Sequence, residues 1–189
     1  MTVHAASVPQ DLIVRMTDPP KRGGQGAGLP IALLQCGIAG NLLGAARASV
    51  DAVIEQASGR VSVATGQAWR DWPGVQYNLA TDRARLRAAF AGLVDVAEEI
   101  WAAAGSGEPI PNELRANAYG MIDHAHQTAR EVVSRLYTAG SIDALHAGHR
   151  LEQSLRYVHA MSVNWERFRQ LHFDGARVLF GLEPLSPLF

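Results

Sequence analysis

One cysteine in 189 residues, Cys36, leaves the chain without an internal disulfide or a cysteine-rich metal centre, which fits a reducing, cytoplasmic setting. Charge of one sign is equally scarce. Lys plus Arg number 17 against 18 Asp plus Glu, so a net charge of -1 offers no global field to recruit nucleic acid or an anionic membrane surface. The longest apolar stretch, from Ile31 to Val53, is broken by Gln35, Asn41, Arg47 and Asp51, and reads as a buried helix rather than a membrane span. Met1-Thr2-Val3-His4-Ala5-Ala6 has neither the basic start nor the apolar core of a signal peptide. Neither a Gly-x-Ser-x-Gly elbow nor a Glu-x-x-His pair is present, so nucleophilic and di-iron chemistry have no support.

What is present is helical periodicity. Residues 1–29 hold a short β-like piece, Asp11 to Met16, then Pro19-Pro20 and the glycine-rich run 23–28, which reads as a flexible connection because no Gly-Lys-Ser/Thr follows it. From Pro30, the residues Leu33, Leu34, Ile38, Leu42, Ala46, Val50 and Val53 recur at three- and four-residue steps up to a stop at Gly59. Gly37, Gly40 and Gly44 cost helix propensity but permit close approach of another helix, so they predict a tightly packed central position.

A second run, Val75 to about Ala104, puts Leu86, Phe90, Leu93, Val94 and Trp101 on one side, with Asp82, Arg83, Arg87, Glu98 and Glu99 largely on the other. Pro111-Asn112 opens a third helix, which ends at Gly140. After a loop through His149, a fourth helix carries Leu151, Leu155, Val158 and Met161 and breaks near Asn164, before a last helical piece from about Trp165 to Phe180. The predicted fold is all-α: an antiparallel four-helix bundle, up-down-up-down, with a short extended N-terminal segment.

The tempting chemical groups have plainer readings. His124 and His126 lie two residues apart on a helix and face different ways, so they cannot chelate one ion, and read as satisfied surface or core histidines. His146, His149, Arg156 and His159 form a candidate polar cluster at one end of the bundle without a metal motif. Glu98-Glu99 reads as a solvated face and Cys36 as a small hydrophobe. Trp69 and Trp72 flank a turn and are candidate interface anchors.

Three stretches in order carry a family resemblance: Leu33 to Asp51 with its Gly37-Ile38-Ala39, Pro73 to Ala80, and the set Leu136 to Ser141, Leu151 to Ala160 and Val178 to Pro184. Together they resemble the C-terminal domain of the acyl-CoA dehydrogenase family and its flavin-dependent monooxygenase relatives. The similarity runs from about residue 30 to the end, residues 30–189 being the bundle and residues 1–29 an extended linker, the remnant of the family's middle β-domain.

The resemblance implies part of a flavin oxidoreductase, with FAD or FMN held by a larger assembly and with homodimers, tetramers or a subunit carrying the missing domains as partners. It places Gly140 and Ser141, as backbone N–H donors, and Arg156 and His159 at the cofactor. Tyr157 stands where the family has Asp. The base glutamate of the dehydrogenases falls at Trp165, beside Glu166, and the histidine of the oxygenating members at Asn164, so neither chemistry is complete in this chain. A non-catalytic helical interaction module is the alternative reading, and a DNA-binding regulator ranks last for want of a basic recognition helix.

Overall fold

The computed structural model describes residues 7–13, 24, 26, 29, 31–140 and 142–189. These form five α-helices: α1 Gln35–Gly59, α2 Pro73–Gly105, α3 Asn112–Ala139, α4 Arg150–Glu166 and α5 Arg169–Leu179. No strand occurs among the described residues, only an isolated antiparallel bridge between Val61 and Ala68 in the α1–α2 connector. A 3-10 turn, Ile31–Leu34, leads into α1, and Pro73 begins α2 where its missing N–H costs nothing. The β-like piece expected at 11–16 is a 3-10 turn at Gln10–Leu12 followed by extended Ile13; residues 14–16, Pro30 and most of the glycine-rich run lie outside the described residues.

The central helix is α3, which packs against α1, α2, α4 and α5. Its Tyr119, Ile122, Ala125, Ala129, Val132, Val133 and Leu136 are essentially sealed from solvent, and each large aliphatic side chain buried in this way contributes roughly 1.5–3 kcal/mol. Its neighbours pair with it in order. Along α2 and α3, Asp82 meets Arg135, Arg85 meets Glu131 and Gly92 faces Met121; along α3 and α4, Gly140 meets Leu151, Ser134 meets His159 and Asp123 meets Trp165.

The last helical piece is a separate helix. The break falls at Arg167–Phe168, after Trp165 has been drawn into the core, rather than at Asn164. α5 lies so close to α3 that a Cβ on Gly175 would sit 3.3 Å from the Ala116 backbone, a contact only a glycine gives freely. It ends on Gly181 at φ +71°, where Leu182 N–H reaches back to the Arg177 carbonyl and satisfies a helix-terminal acceptor. The tail then folds back. Buried Asp174 accepts from Leu185 N–H at 3.0 Å and Ser186 N–H at 2.9 Å, and Phe189 lies between Tyr119 and Arg115.

Three expectations from periodicity are corrected. Gly37, Gly40 and Gly44 meet nothing within 4 Å of a built Cβ, so they do not serve a close approach inside this chain. Phe90, Val94 and Trp101, expected on the core side of α2, are 53%, 36% and 52% exposed. Asp82, expected on the wet side, is fully buried and held by Arg135, whose Nε donates to Oδ2 at 3.2 Å and whose second nitrogen donates to Oδ1.

The fork of Arg135 compensates a carboxylate that has lost its water, so removing it leaves a stranded charge. Arg135→Met is expected to lower unfolding stability by about 3 kcal/mol, while the Asp82→Leu/Arg135→Met pair recovers most of that loss, as urea titration of the three variants would measure.

Candidate functional site

Gly140 closes α3 in a right-handed helical conformation at φ -67°, and its N–H is already spent on the Leu136 and Tyr137 carbonyls. The backbone anion nest expected there therefore lacks its Gly140 donor; Ser141 lies outside the described residues. Packing is tight here: a Cβ would stand 2.5 Å from Leu151 Cδ1 and 3.0 Å from Ala144 Cβ, so a larger residue would have to displace the Leu151 side chain. The Gly140 carbonyl accepts from Arg60 at 3.4 Å, and the same guanidinium sits 5.0 Å above the Trp69 ring.

Beside that turn opens a pocket of about 460 Å³, walled by Arg60, the 61–64 segment, Trp69, Trp72 and Ala139. Trp69 is buried as its floor, while Trp72 is partly exposed at its edge. One guanidinium beside two flat indoles can take an anionic group joined to an aromatic ring. Arg60 escaped the sequence reading because a lone arginine after a helix stop carries no motif; the flanking Trp69 and Trp72 were the only signal.

Arg156 and His159 lie elsewhere. Arg156 is exposed and pairs with Glu152 at 3.5 Å, one turn back on α4, and the His159 ring lies 3.0 Å from Ser134 Oγ. With about 1.5 Å of rise per residue, His159 stands ~12 Å along α4 from Leu151, the residue that touches Gly140, so the structure does not gather these residues around one point. His149 caps α4 through Nδ1 to Leu151 N–H at 3.2 Å and meets Gln56 of α1, a structural junction.

The position that the resemblance assigns to the dehydrogenases' base, Trp165, is taken up by packing. Trp165 is buried, its indole N–H donates to Asp123 Oδ1 at 2.7 Å, and its ring stacks on His126 at 5.5 Å and on Phe168 at 6.4 Å. Gln127 donates to the other oxygen of Asp123. An indole cannot take up a proton at neutral pH. Neighbouring Glu166 is turned outward and engaged by Arg169 at 2.9 Å and Arg130 at 3.8 Å.

His126 is buried but not satisfied: neither ring nitrogen has a hydrogen-bond partner among the described residues. Burial drives its pKa down to about 4, an effect reinforced by Arg130 and opposed by Asp123. The adjoining cavity, about 10 Å³ between Asp123, His126, Ser162 and Trp165, has room for roughly one water, the natural partner for an unmet imidazole. Among the described residues no group of three His, Cys, Asp or Glu could hold a metal, and no helix is long and apolar enough to cross a membrane.

The family described as "Acyl-CoA dehydrogenase, C-terminal domain" matches residues 36–164. An indole-3-acetate monooxygenase of Pseudomonas putida is 26% identical over 143 residues, covering 76% of this chain and 37% of that protein. The crystal structure of the HsaA monooxygenase from M. tuberculosis superposes with a TM-score of 0.75 at 23% identity, covering 87% of this chain and 42% of that one. The 3-HSA hydroxylase from Rhodococcus sp. RHA1 gives 0.72 at the same identity and coverage. The chain thus spans well under half the length of each relative.

The buried histidine makes the fold acid-sensitive. With a folded pKa of about 4 against 6.5 for the free side chain, the unfolded chain binds the proton first. The neutral ring's contribution is therefore complete above pH 6.5 and is lost as pH falls towards 4, by up to about 3 kcal/mol. Denaturant unfolding between pH 7 and 4.5 should show that decline, and His126→Phe, which keeps the stack on Trp165, should flatten it; an unchanged slope would assign the effect to other groups.

Proposed function

Because the chain belongs to the acyl-CoA dehydrogenase family, matching its C-terminal domain over residues 36–164, we propose that it is the C-terminal bundle of a flavin-dependent oxidoreductase of the monooxygenase branch. The P. putida relative and both solved structures carry monooxygenase or hydroxylase names, which supports that branch over dehydrogenation. In this reading α1 to α4 run up-down-up-down, as the ordered pairs along α2, α3 and α4 suggest, residues 1–29 are the remnant of a β-domain, and the protein works in the cytoplasm as a homodimer, a tetramer or the subunit of a larger assembly.

The observation that carries the flavin part is the pocket beside Gly140. Its Arg60 guanidinium, Trp69 and Trp72 suit the anionic and flat portions of FAD or FMN. Gly140 contributes by keeping Leu151 close and by orienting Arg60 through its carbonyl, and Ser141, the next residue in the sequence, stays part of the proposed cofactor contact. Arg156 and His159, a few turns along α4, would meet a different portion of the bound assembly. The flavin, when present, supplies the redox chemistry; the residues of this chain bind, orient and shield it.

A second reading, a non-catalytic interaction bundle, is favoured by one observation. Trp165 is committed to Asp123 and His126, so no carboxylate stands at the position of the family's base.

Flavin retention separates the two. The purified chain is mixed with a relative's polypeptide lacking its own C-terminal domain, given FAD or FMN, and passed through gel filtration. Flavin absorbance should co-elute with the reconstituted pair, and Arg60→Ala should weaken binding by about 10-fold, the loss of one charge-assisted contact. No retained flavin, with either cofactor, favours the interaction module.

A further inference from the structure

Between α1 and α2 opens a groove of about 440 Å³, within the roughly 300–1,000 Å³ typical of small-molecule sites. Leu43 and Leu86 are buried as its floor, and Phe90 is 53% exposed at its edge. Gly40 and Gly44 give it depth, since a Cβ on either would meet nothing within 4 Å. Among the described residues every charged side chain on its wall is an arginine: Arg47, Arg83 and Arg87. Arg47 is engaged by Asp51 at 3.3 Å, whereas Arg83 and Arg87 make no ion pair among the described residues. Those two stand four residues apart on one side of α2, where like charges repel.

We propose that this groove binds a small amphipathic anion: a carboxylate or phosphate monoester joined to an apolar chain, its headgroup held by Arg83 and Arg87 and its chain laid over Leu43, Leu86 and Phe90. A guanidinium presents a planar fork of donors that matches either oxyanion. Two such forks one helical turn apart reach a common point, so an anion there engages both and ends their mutual repulsion. The floor calls for the apolar chain. An inorganic anion would leave Phe90 and the two leucines uncovered, and a neutral hydrocarbon would leave both guanidiniums without a counter-charge. Glycine inside a helix costs stability, and here the missing side chains of Gly40 and Gly44 are what keep the groove open. With about 1.5 Å of rise per residue, Arg47 stands ~20 Å along α1 from Arg60, so the groove is separate from the pocket read as flavin-binding.

Isothermal titration of the whole chain, without flavin, with decanoate and with decyl phosphate tests it, inorganic phosphate and decanol serving as headgroup and chain alone. One equivalent of decanoate or decyl phosphate should bind, less tightly as salt is raised, and each half-ligand should bind at least about 10-fold more weakly. The tighter of the two names the headgroup. Arg83→Gln and Arg87→Gln should each weaken binding by about 10-fold, the loss of one charge-assisted contact. Gly44→Leu, whose side chain has open space before it and replaces a poor helix former, should abolish binding while the thermal midpoint stays level or rises. Binding retained in Gly44→Leu overturns the proposal, as does binding that survives both arginine variants, or no binding of either compound up to about 1 mM. Flavin retention should be untouched by Gly44→Leu, so failure here leaves the flavin reading standing.

Discussion

Everything in this bundle is arranged around the burial of α3. A helix touched by four others buries much of its surface, and several of its polar residues are met by partners on a neighbour. Arg135 finds Asp82 on α2, Glu131 finds Arg85, Asp123 accepts a hydrogen bond from the Trp165 indole N–H, and Ser134 meets His159. These contacts set how far each neighbour slides along α3, because apolar stripes alone tolerate displacement by a turn and a buried carboxylate does not. The packing between them supplies most of the energy.

The same constraint accounts for the end of α4. The bulk of Trp165 is buried against α3 between Asp123 and His126. The helix therefore runs past Asn164 to Glu166 before breaking, and Glu166 is turned towards Arg130 and Arg169 instead of inward. The pocket at the C-terminal end of α3 is separate from this packing. It is built by the α1–α2 connector, where Arg60 bridges the Trp69 ring and the Gly140 carbonyl.

The periodic positions made the helices legible from the sequence. Pro73, Asn112 and Gly181 marked their ends closely, since proline and glycine act through local backbone geometry. The ordered motifs around Gly37, Leu136 and Arg156 pointed to a family that the match over 36–164 bears out. What stayed hidden depends on a partner distant in sequence. Asp82 looks like any surface acid until Arg135, 53 residues away, folds onto it. Phe90 and Val94 obey the helical period yet face outward, because periodicity identifies a stripe without saying which body covers it. His126 was expected to be satisfied, and only depth and the absence of a neighbouring partner show otherwise. At Gly140 the sequence marked the end of α3 but not the close contact with Leu151, which cannot be read from one residue's type.

Asp174 has a consequence for how the molecule opens. Its carboxylate ties the amides of Leu185 and Ser186 to α5, and Phe189 is wedged against Tyr119 and Arg115 of α3. The final turn of chain and the fifth helix thus behave as one cooperative segment: a fluctuation that lifts α5 from Ala116 must also free the tail, and a tail that stays seated holds the helix down. Residues 185–189 are thus the latch on the flank of the bundle.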